Sequence, residues 1–165
     1  MTRRGGLRLT LLTGAGLLAL AGCSRPFVSA LAVPPYRDQA PASYDATWHA
    51  LVRALAMDNV PLRTVAKDSG VIATEDFVSP IGVYADCGRL GDDPLEGDAL
   101  VAFTIFVRPA PSSPTDLQIN AKMRTQSYRR RGAWGGHGTE PVHQCVSTGR
   151  WEANLGDSVR RLVRE

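Results

Sequence analysis

The chain has 165 residues, of which 19 are basic and 16 acidic, and its formal net charge is +3. Three arginines precede Cys23 and no acidic residue does, so the chain from Cys23 onward has no net charge. Overall charge therefore argues against nucleic acid as a partner, because proteins that bind it need a surplus of basic residues.

Residues 1–22 have the layout of an export signal. Three arginines form a positively charged start, an apolar run follows, and small residues come directly before Cys23. This order of charge, apolar run and small residues is typical of signal peptides. The run is shorter than the roughly 20 apolar residues with which a helix spans a bilayer.

The end of this segment, Leu20-Ala21-Gly22-Cys23, resembles the lipobox of bacterial lipoproteins. The resemblance implies that the Cys23 thiol is joined to diacylglycerol and that the chain is cut before Cys23. It also implies that the amino group of Cys23, which this cleavage exposes, is acylated. Ser24 in the next position implies the outer membrane. We therefore expect a protein that lipid on Cys23 anchors to the periplasmic side of that membrane.

Composition predicts three segments, which are a signal peptide at 1–22, a lipidated tether at 23–42 and one domain at 43–165. The tether contains four prolines and has no lasting periodicity, so we expect it to be extended and semi-rigid. The remainder is long enough for one domain and short for two.

The first predicted element of the domain is a helix that begins after the N-cap residue Ser43. Pro61 prevents the helix from continuing. Two strands are predicted next, at 62–66 and 71–78, and the segment between them ends in Gly70, which is typical of a hairpin turn. A third short strand is predicted at 81–85.

The second half of the predicted domain begins with a loop at 88–97. A strand at 99–107 follows and is apolar on both faces, which predicts a central strand covered on both sides or buried at its middle. The next strand, 117–124, alternates apolar and polar residues, so one face should meet the core and the other water. A glycine-rich loop is predicted at 129–143, and a last helix begins near Thr148.

This order of elements predicts an α+β fold. We expect an antiparallel sheet of about five strands, with the N-terminal and C-terminal helices packed on one face. Trp48 and Trp151 lie on the apolar stripes of the two helices and are predicted core residues.

Cys87 and Cys145 remain once Cys23 carries lipid. An exported protein meets an oxidising environment, so the pair predicts a disulfide. The long loop that it would close corresponds to about 4 kcal/mol in the chain-entropy model. The alternatives are two free thiols or a metal site.

The side chains able to support catalysis or metal binding are not arranged as a known site. Three acidic residues lie in the predicted loop at 88–97, and Ser147-Thr148-Gly149 lacks the flanking glycines of a nucleophile elbow. The histidine and cysteine spacing around Cys145 matches no usual zinc site. We expect no catalytic residue, no metal and no cofactor.

A basic cluster beside an aromatic residue is the candidate partner-binding site. Arg129, Arg130 and Arg131 precede Trp134 in the predicted loop, and arginine and tryptophan are common anchors of interfaces. Such a cluster could contact an envelope protein or anionic lipid. The alternative, a solvated loop whose tryptophan packs on its own domain, remains equally open.

Residues 44–48, YDATW, and 68–72, DSGVI, are similar to the small helix-and-sheet domains of envelope lipoproteins. The BamC-type accessory subunit of the outer-membrane β-barrel assembly machinery contains such domains. Its pattern lacks the pair Cys87 and Cys145, and it transfers no functional residue. The resemblance implies a non-catalytic binding or scaffolding role in envelope assembly or maintenance. The alternatives are an inhibitor or small-ligand binder of the periplasm and an enzyme that acts on cell-wall material.

Overall fold

The computed structural model describes residues 26–109, 114–129 and 141–165. Helix α1 spans Tyr44–Met57 and helix α2 spans Arg150–Leu162. The strands are β1 (Phe27–Val28), β2 (Tyr36–Ala40), β3 (Leu62–Ala66), β4 (Val71–Thr74), β5 (Phe77–Pro80), β6 (Ala85–Asp86), β7 (Arg89–Leu90), β8 (Asp93–Pro94), β9 (Glu96–Arg108), β10 (Thr115–Arg129) and β11 (Gln144–Ser147). The predicted α+β class is confirmed.

The main sheet is antiparallel and is built around the long pair β9 and β10. The edge of β9 that faces away from β10 pairs with β4 along one stretch and with β5 along another. The edge of β10 that faces away from β9 pairs in the same way with β2 and with β11. Strand β3 extends the sheet beyond β4, and β6 extends it beyond β11. The prediction of about five strands is wrong, since the described ranges place eight in this sheet. Each long central strand is flanked by two short ones.

Helix α1 begins and ends where local chemistry predicts. The Oγ atom of Ser43 accepts a hydrogen bond from the backbone N–H of Ala46 at 3.4 Å, which caps the first turn. At the other end Asn59 adopts a left-handed conformation with φ of 50°, and the N–H of Val60 donates to the Leu55 carbonyl at 3.0 Å. This is the usual way for a helix to stop before a proline.

One hydrophobic cluster joins both helices to the inward face of β9. Trp48 and Trp151 are 4% and 7% exposed, so both predicted core residues are confirmed. The ring of Trp151 stacks on that of Phe103, with centroids 3.8 Å apart. The other face of β9 is half-buried rather than fully covered, because alternate residues of a strand point to opposite faces.

The predicted strand 71–78 is two strands in the structure. Strand β4 pairs with β9 at residues 104–106, and β5 pairs with it at 98–101. Between these two stretches the buried Thr74 hydroxyl accepts a hydrogen bond from the Phe103 N–H at 3.0 Å. A side chain therefore replaces a strand partner at the break, where Glu75 and Asp76 are exposed.

The turn between β3 and β4 is confirmed and brings Gly70 against β9. Gly70 has φ of +66°, and its carbonyl accepts a hydrogen bond from the Val107 N–H at 2.8 Å. A Cβ atom on Gly70 would lie 2.1 Å from the Val107 carbonyl oxygen. This position therefore requires glycine for its backbone conformation and for the close approach of the two chains.

A surface ion pair joins the same turn to the start of α1. The Nζ atom of Lys67 lies 2.8 Å from Oδ1 of Asp45. Their hydrogen bond lowers the pKa of Asp45 below its ordinary value and raises that of Lys67. Both groups are accessible to solvent, so their ion pair contributes little to the stability of the fold. It shows that the turn lies beside the first turn of α1.

The predicted tether at 23–42 must be corrected, because part of it belongs to the fold. Strand β2 pairs with β10 from Ala40 opposite Thr115 to Tyr36 opposite Ile119. The prolines that indicated a tether flank β2 and do not interrupt it, and edge strands accept such neighbours. Strand β1 lies in the same stretch and pairs with β7.

Two short predicted elements also need correction. The segment predicted as a strand at 81–85 is mostly a turn, in which the N–H of Gly82 donates to the Ala85 carbonyl at 2.8 Å. Only its last residue enters a strand, β6. The segment predicted as a loop at 88–97 contains β7 and β8, which form a small three-stranded sheet with β1.

Candidate functional site

The edge of β10 that faces β2 and β11 is interrupted at its middle. Strand β2 ends its pairing opposite Ile119, and β11 begins opposite Met123. In the part of the chain that the structure describes, β10 residues 120–122 have no strand partner on this side. Unpaired strand edges are places where a sheet can accept further hydrogen bonds.

A cavity of about 180 Å³, which we call the edge pocket, lies at this interruption. The segment before β2, the middle of β10 and strand β11 form its walls, and the first turn of α2 contributes one acidic side chain. The lining residues are Ala32, Val33, Pro34, Pro35, Tyr36, Ile119, Asn120, Ala121, Cys145, Val146, Ser147 and Glu152.

Glu152 is the charged residue of the edge pocket, and it is only 2% exposed. In the part of the chain that the structure describes, its Oε2 atom has no hydrogen-bond partner. Burial of a carboxylate oxygen that forms no hydrogen bond is unfavourable, because a charged group loses solvation there. A cation or an N–H donor that entered the edge pocket would remove this cost.

The sequence of α2 explains why Glu152 is buried. Trp151, Leu155 and Val159 enter the core, and Glu152 follows the first of them by one position. One turn further, Gly156 allows α2 to approach β2 closely, because a Cβ atom there would lie 2.7 Å from Oδ2 of Asp38. The close contact between α2 and β2 therefore covers the Glu152 side chain.

A second carboxylate beside α2 is already paired. Asp38 forms an ion pair with Arg160, and the Tyr36 hydroxyl lies 3.5 Å from Asp38 Oδ2. Arg160 also contacts Asp157 at 2.5 Å. Arg160 is thus engaged by two other carboxylates, and no described residue pairs with Oε2 of Glu152.

A larger groove of about 620 Å³, the aromatic groove, lies on the other side of the first turn of α2. Three of its lining residues are aromatic, and its polar lining residues supply amides, hydroxyls and one carboxylate. Its lining residues are Asp58, Asn59, Val60, Pro61, Phe77, Tyr84, Trp151, Asn154, Leu155 and Ser158. Its volume lies in the range of small-molecule sites, about 300–1,000 Å³, and that of the edge pocket lies below it.

The predicted cysteine pair has the geometry of a disulfide. The Sγ atoms of Cys87 and Cys145 lie 1.98 Å apart, and their Cα atoms 4.1 Å apart. Cys87 is fully buried, while Cys145 lies in β11 at the wall of the edge pocket. The covalent link would therefore fix one wall of the pocket to the core.

Of the predicted partner-binding cluster and the lipidation site, the structure describes one residue, Arg129. Cys23, Arg130, Arg131 and Trp134 lie outside the described residues. Arg129 is the last residue of β10, and the strand register places it opposite Glu96. The role of the cluster in binding stays a prediction, and its first arginine has an acidic residue as cross-strand neighbour.

The region that sequence analysis considered for catalysis has a structural role at the start of α2. The Ser147 hydroxyl oxygen accepts a hydrogen bond from the Gly149 N–H at 2.9 Å, and Gly149 is the N-cap residue of α2. Within the described ranges no three His, Cys, Asp or Glu side chains are grouped as a metal site would require.

Sequence reasoning missed Glu152. An acidic residue in the first turn of a helix is usually favoured by the helix dipole and exposed to water. The available signal was its place beside Trp151 and one turn before Gly156, which permits close packing.

None of the helices in the described ranges is long and apolar enough to cross a membrane. Comparison with models of known protein families found no match, and comparison with curated proteins found none either.

Proposed function

We propose that this chain is a lipid-anchored lipoprotein of the outer membrane, on the periplasmic side, which acts by binding an envelope partner and not by catalysis. The export signal and the lipobox ending in Cys23 support the anchor. The two cysteines at disulfide distance agree with an oxidising compartment.

The buried carboxylate of Glu152 carries the binding part of this proposal. It lines a cavity, and one of its oxygens has no hydrogen-bond partner among the described residues. The small volume of the edge pocket suits one group, such as the ammonium end of a lysine side chain, better than a whole small molecule. We therefore propose that a basic side chain of a protein partner enters the edge pocket and pairs with Glu152.

The anchor is tested by replacing Cys23 with serine. Without the thiol the chain has no site for diacylglycerol, so we expect the protein to lose its lipid and to leave the membrane fraction. Mass spectrometry of the intact protein and fractionation of cells would measure both effects. A wild-type protein that keeps residues 1–22 and carries no lipid would refute the anchor.

The role of Glu152 is tested by Glu152→Gln, which keeps the shape and removes the charge. Removal of an unpartnered buried charge should raise the free energy of unfolding by about 1 kcal/mol. The lost interaction with the helix dipole, about 0.3–1 kcal/mol, opposes this gain, so the net rise should be at most about 0.7 kcal/mol. In-cell crosslinking followed by mass spectrometry should show less of the partner attached to the variant.

Glu75→Gln is the matched control for this experiment, because Glu75 is exposed and lies away from the edge pocket. It should leave both stability and crosslinking unchanged. If Glu152→Gln lowered stability by more than about 1 kcal/mol, the carboxylate would have a structural role and the binding proposal would be wrong.

The aromatic groove favours a second candidate function, the binding of a small ligand. Its volume and its three aromatic side chains, Phe77, Tyr84 and Trp151, suit an apolar or aromatic molecule. Native mass spectrometry of the protein extracted from cells separates the two functions. A bound small molecule would favour the groove, and a bound protein would favour the edge pocket.

A further inference from the structure

Several large apolar side chains are exposed near the first described residues. Leu31 is 87% exposed, Val28 and Val33 are each 53% exposed, and Val142 is 62% exposed. Val142 belongs to the same region, because the ring of the next residue, His143, stacks on Phe27 with centroids 3.8 Å apart. We call these four residues the apolar edge. Single exposed apolar residues are common, but a group of them marks a contact surface.

The fold holds the start of this edge in place. Strand β1 pairs with β7, and the carbonyl of Pro26 accepts a hydrogen bond from the Gly91 N–H at 2.8 Å. The Val28 carbonyl oxygen also approaches Gly88 so closely that a Cβ atom there would lie 2.2 Å from it. These contacts hold residues 26–28, where the apolar edge begins, against the small sheet.

Very little chain separates this point from the proposed lipid. Ser24, Arg25 and Pro26 are the residues between Cys23 and Phe27. At about 3.6 Å per residue, the Cα atom of Phe27 can be at most about 14 Å from that of Cys23. A lipidated Cys23 lies at the membrane surface, whose headgroup layer is itself roughly 5–8 Å thick on each side. Phe27 would thus be held within reach of that layer.

We propose that the apolar edge rests on the lipid bilayer and docks the domain against the membrane. This proposal depends on the lipid anchor of the proposed function. Once Cys23 is inserted, contact between edge and bilayer is an intramolecular event, so even weak apolar contacts keep the domain docked. Exposed Arg89, the cross-strand neighbour of Val28, and exposed Asp92 carry opposite charges beside the edge. The attraction that we propose is therefore apolar, and a zwitterionic lipid surface is sufficient.

The test places a fluorescent reporter on the edge. The lipidated full chain with Leu31→Trp is reconstituted into phosphatidylcholine vesicles whose acyl chains carry bromine, which quenches nearby tryptophan. The control is Val65→Trp. Val65 is 52% exposed in β3, an edge strand of the main sheet, and β4, β9 and β10 separate it from β11, the strand that follows Val142. The unmodified protein supplies the background emission of its own tryptophans.

We expect the added tryptophan at position 31 to lose most of its emission in brominated vesicles, and the one at position 65 to lose little. Equal quenching at both positions would overturn the docking. A tryptophan at position 31 with blue-shifted emission that bromine does not quench would also overturn the docking. A second copy of the chain or another protein would then cover this position.

Two measurements on the same samples separate this proposal from the one on which it rests. The mass of the protein reports the lipid on Cys23, and flotation with vesicles reports the anchor. If the protein lacks lipid and does not float, the anchor and the docking both fail. If it floats and position 31 is no better quenched than position 65, only the docking fails.

Discussion

Replacing Cys87 and Cys145 together with alanine is expected to lower the free energy of unfolding by about 4 kcal/mol. The two cysteines are 58 residues apart in sequence. A bond between them would remove much of the conformational freedom of the unfolded chain, and the chain-entropy model gives this magnitude for a loop of such length. Unfolding in urea, followed by circular dichroism, would measure the change.

Alanine is preferable to serine here, because Cys87 is fully buried and a serine hydroxyl would need a hydrogen-bond partner. Addition of a reducing agent should destabilise the wild-type protein by a similar amount and leave the double variant unchanged. Alkylation should add mass to these two cysteines only after reduction. Two thiols that react freely in the folded protein without a reductant would show that no disulfide forms.

Gly70→Ala is expected to lower the free energy of unfolding by about 3 kcal/mol. The left-handed backbone conformation costs a residue with a side chain about 1–2 kcal/mol. The new Cβ atom would also lie 2.1 Å from the Val107 carbonyl oxygen, and overpacking of this kind costs about 1–3 kcal/mol. The same urea titration would measure the loss.

Gly149→Ala is the matched control for this substitution. Gly149 also has a positive φ, 78°, but a Cβ atom there meets no other atom within 4 Å. Only the conformational cost remains, so we expect a loss of about 1–2 kcal/mol. If the free energy of unfolding fell equally in both variants, the contact between Gly70 and β9 would add no cost, and this explanation of Gly70 would be wrong.

Local signals in the sequence were sufficient for the two helices and for the turn between β3 and β4. Ser43 caps α1, Asn59 and Pro61 end it, and Gly70 closes the turn. The alternating pattern at 117–124 also predicted that Leu117, Ile119 and Met123 are buried, whereas Ala121, predicted on the same face, is exposed. Such signals act over a few residues, and a sequence displays them directly.

The strands that the sequence did not reveal depend on partners far along the chain. Strand β2 is short and lies between prolines, and its place in the sheet comes from β10. The break between β4 and β5 depends on the Thr74 hydroxyl meeting β9. Glu152 is buried because α2 approaches β2 at Gly156. These contacts join distant parts of the chain. The place of Glu152 beside Trp151 and before Gly156 is visible in the sequence, but it does not reveal the cavity.

The pairing of β2 with β10 also bears on the order of folding. Tyr36 pairs with Ile119, so the first strand of the main sheet can pair only after a late strand has been synthesised. Contacts between residues so far apart form slowly, because a long loop must close first. If Cys23 is lipidated, the N-terminal segment is held at the membrane before β2 pairs with β10. The sheet would then be completed at the bilayer surface, with the N-terminal segment among the last parts to join it.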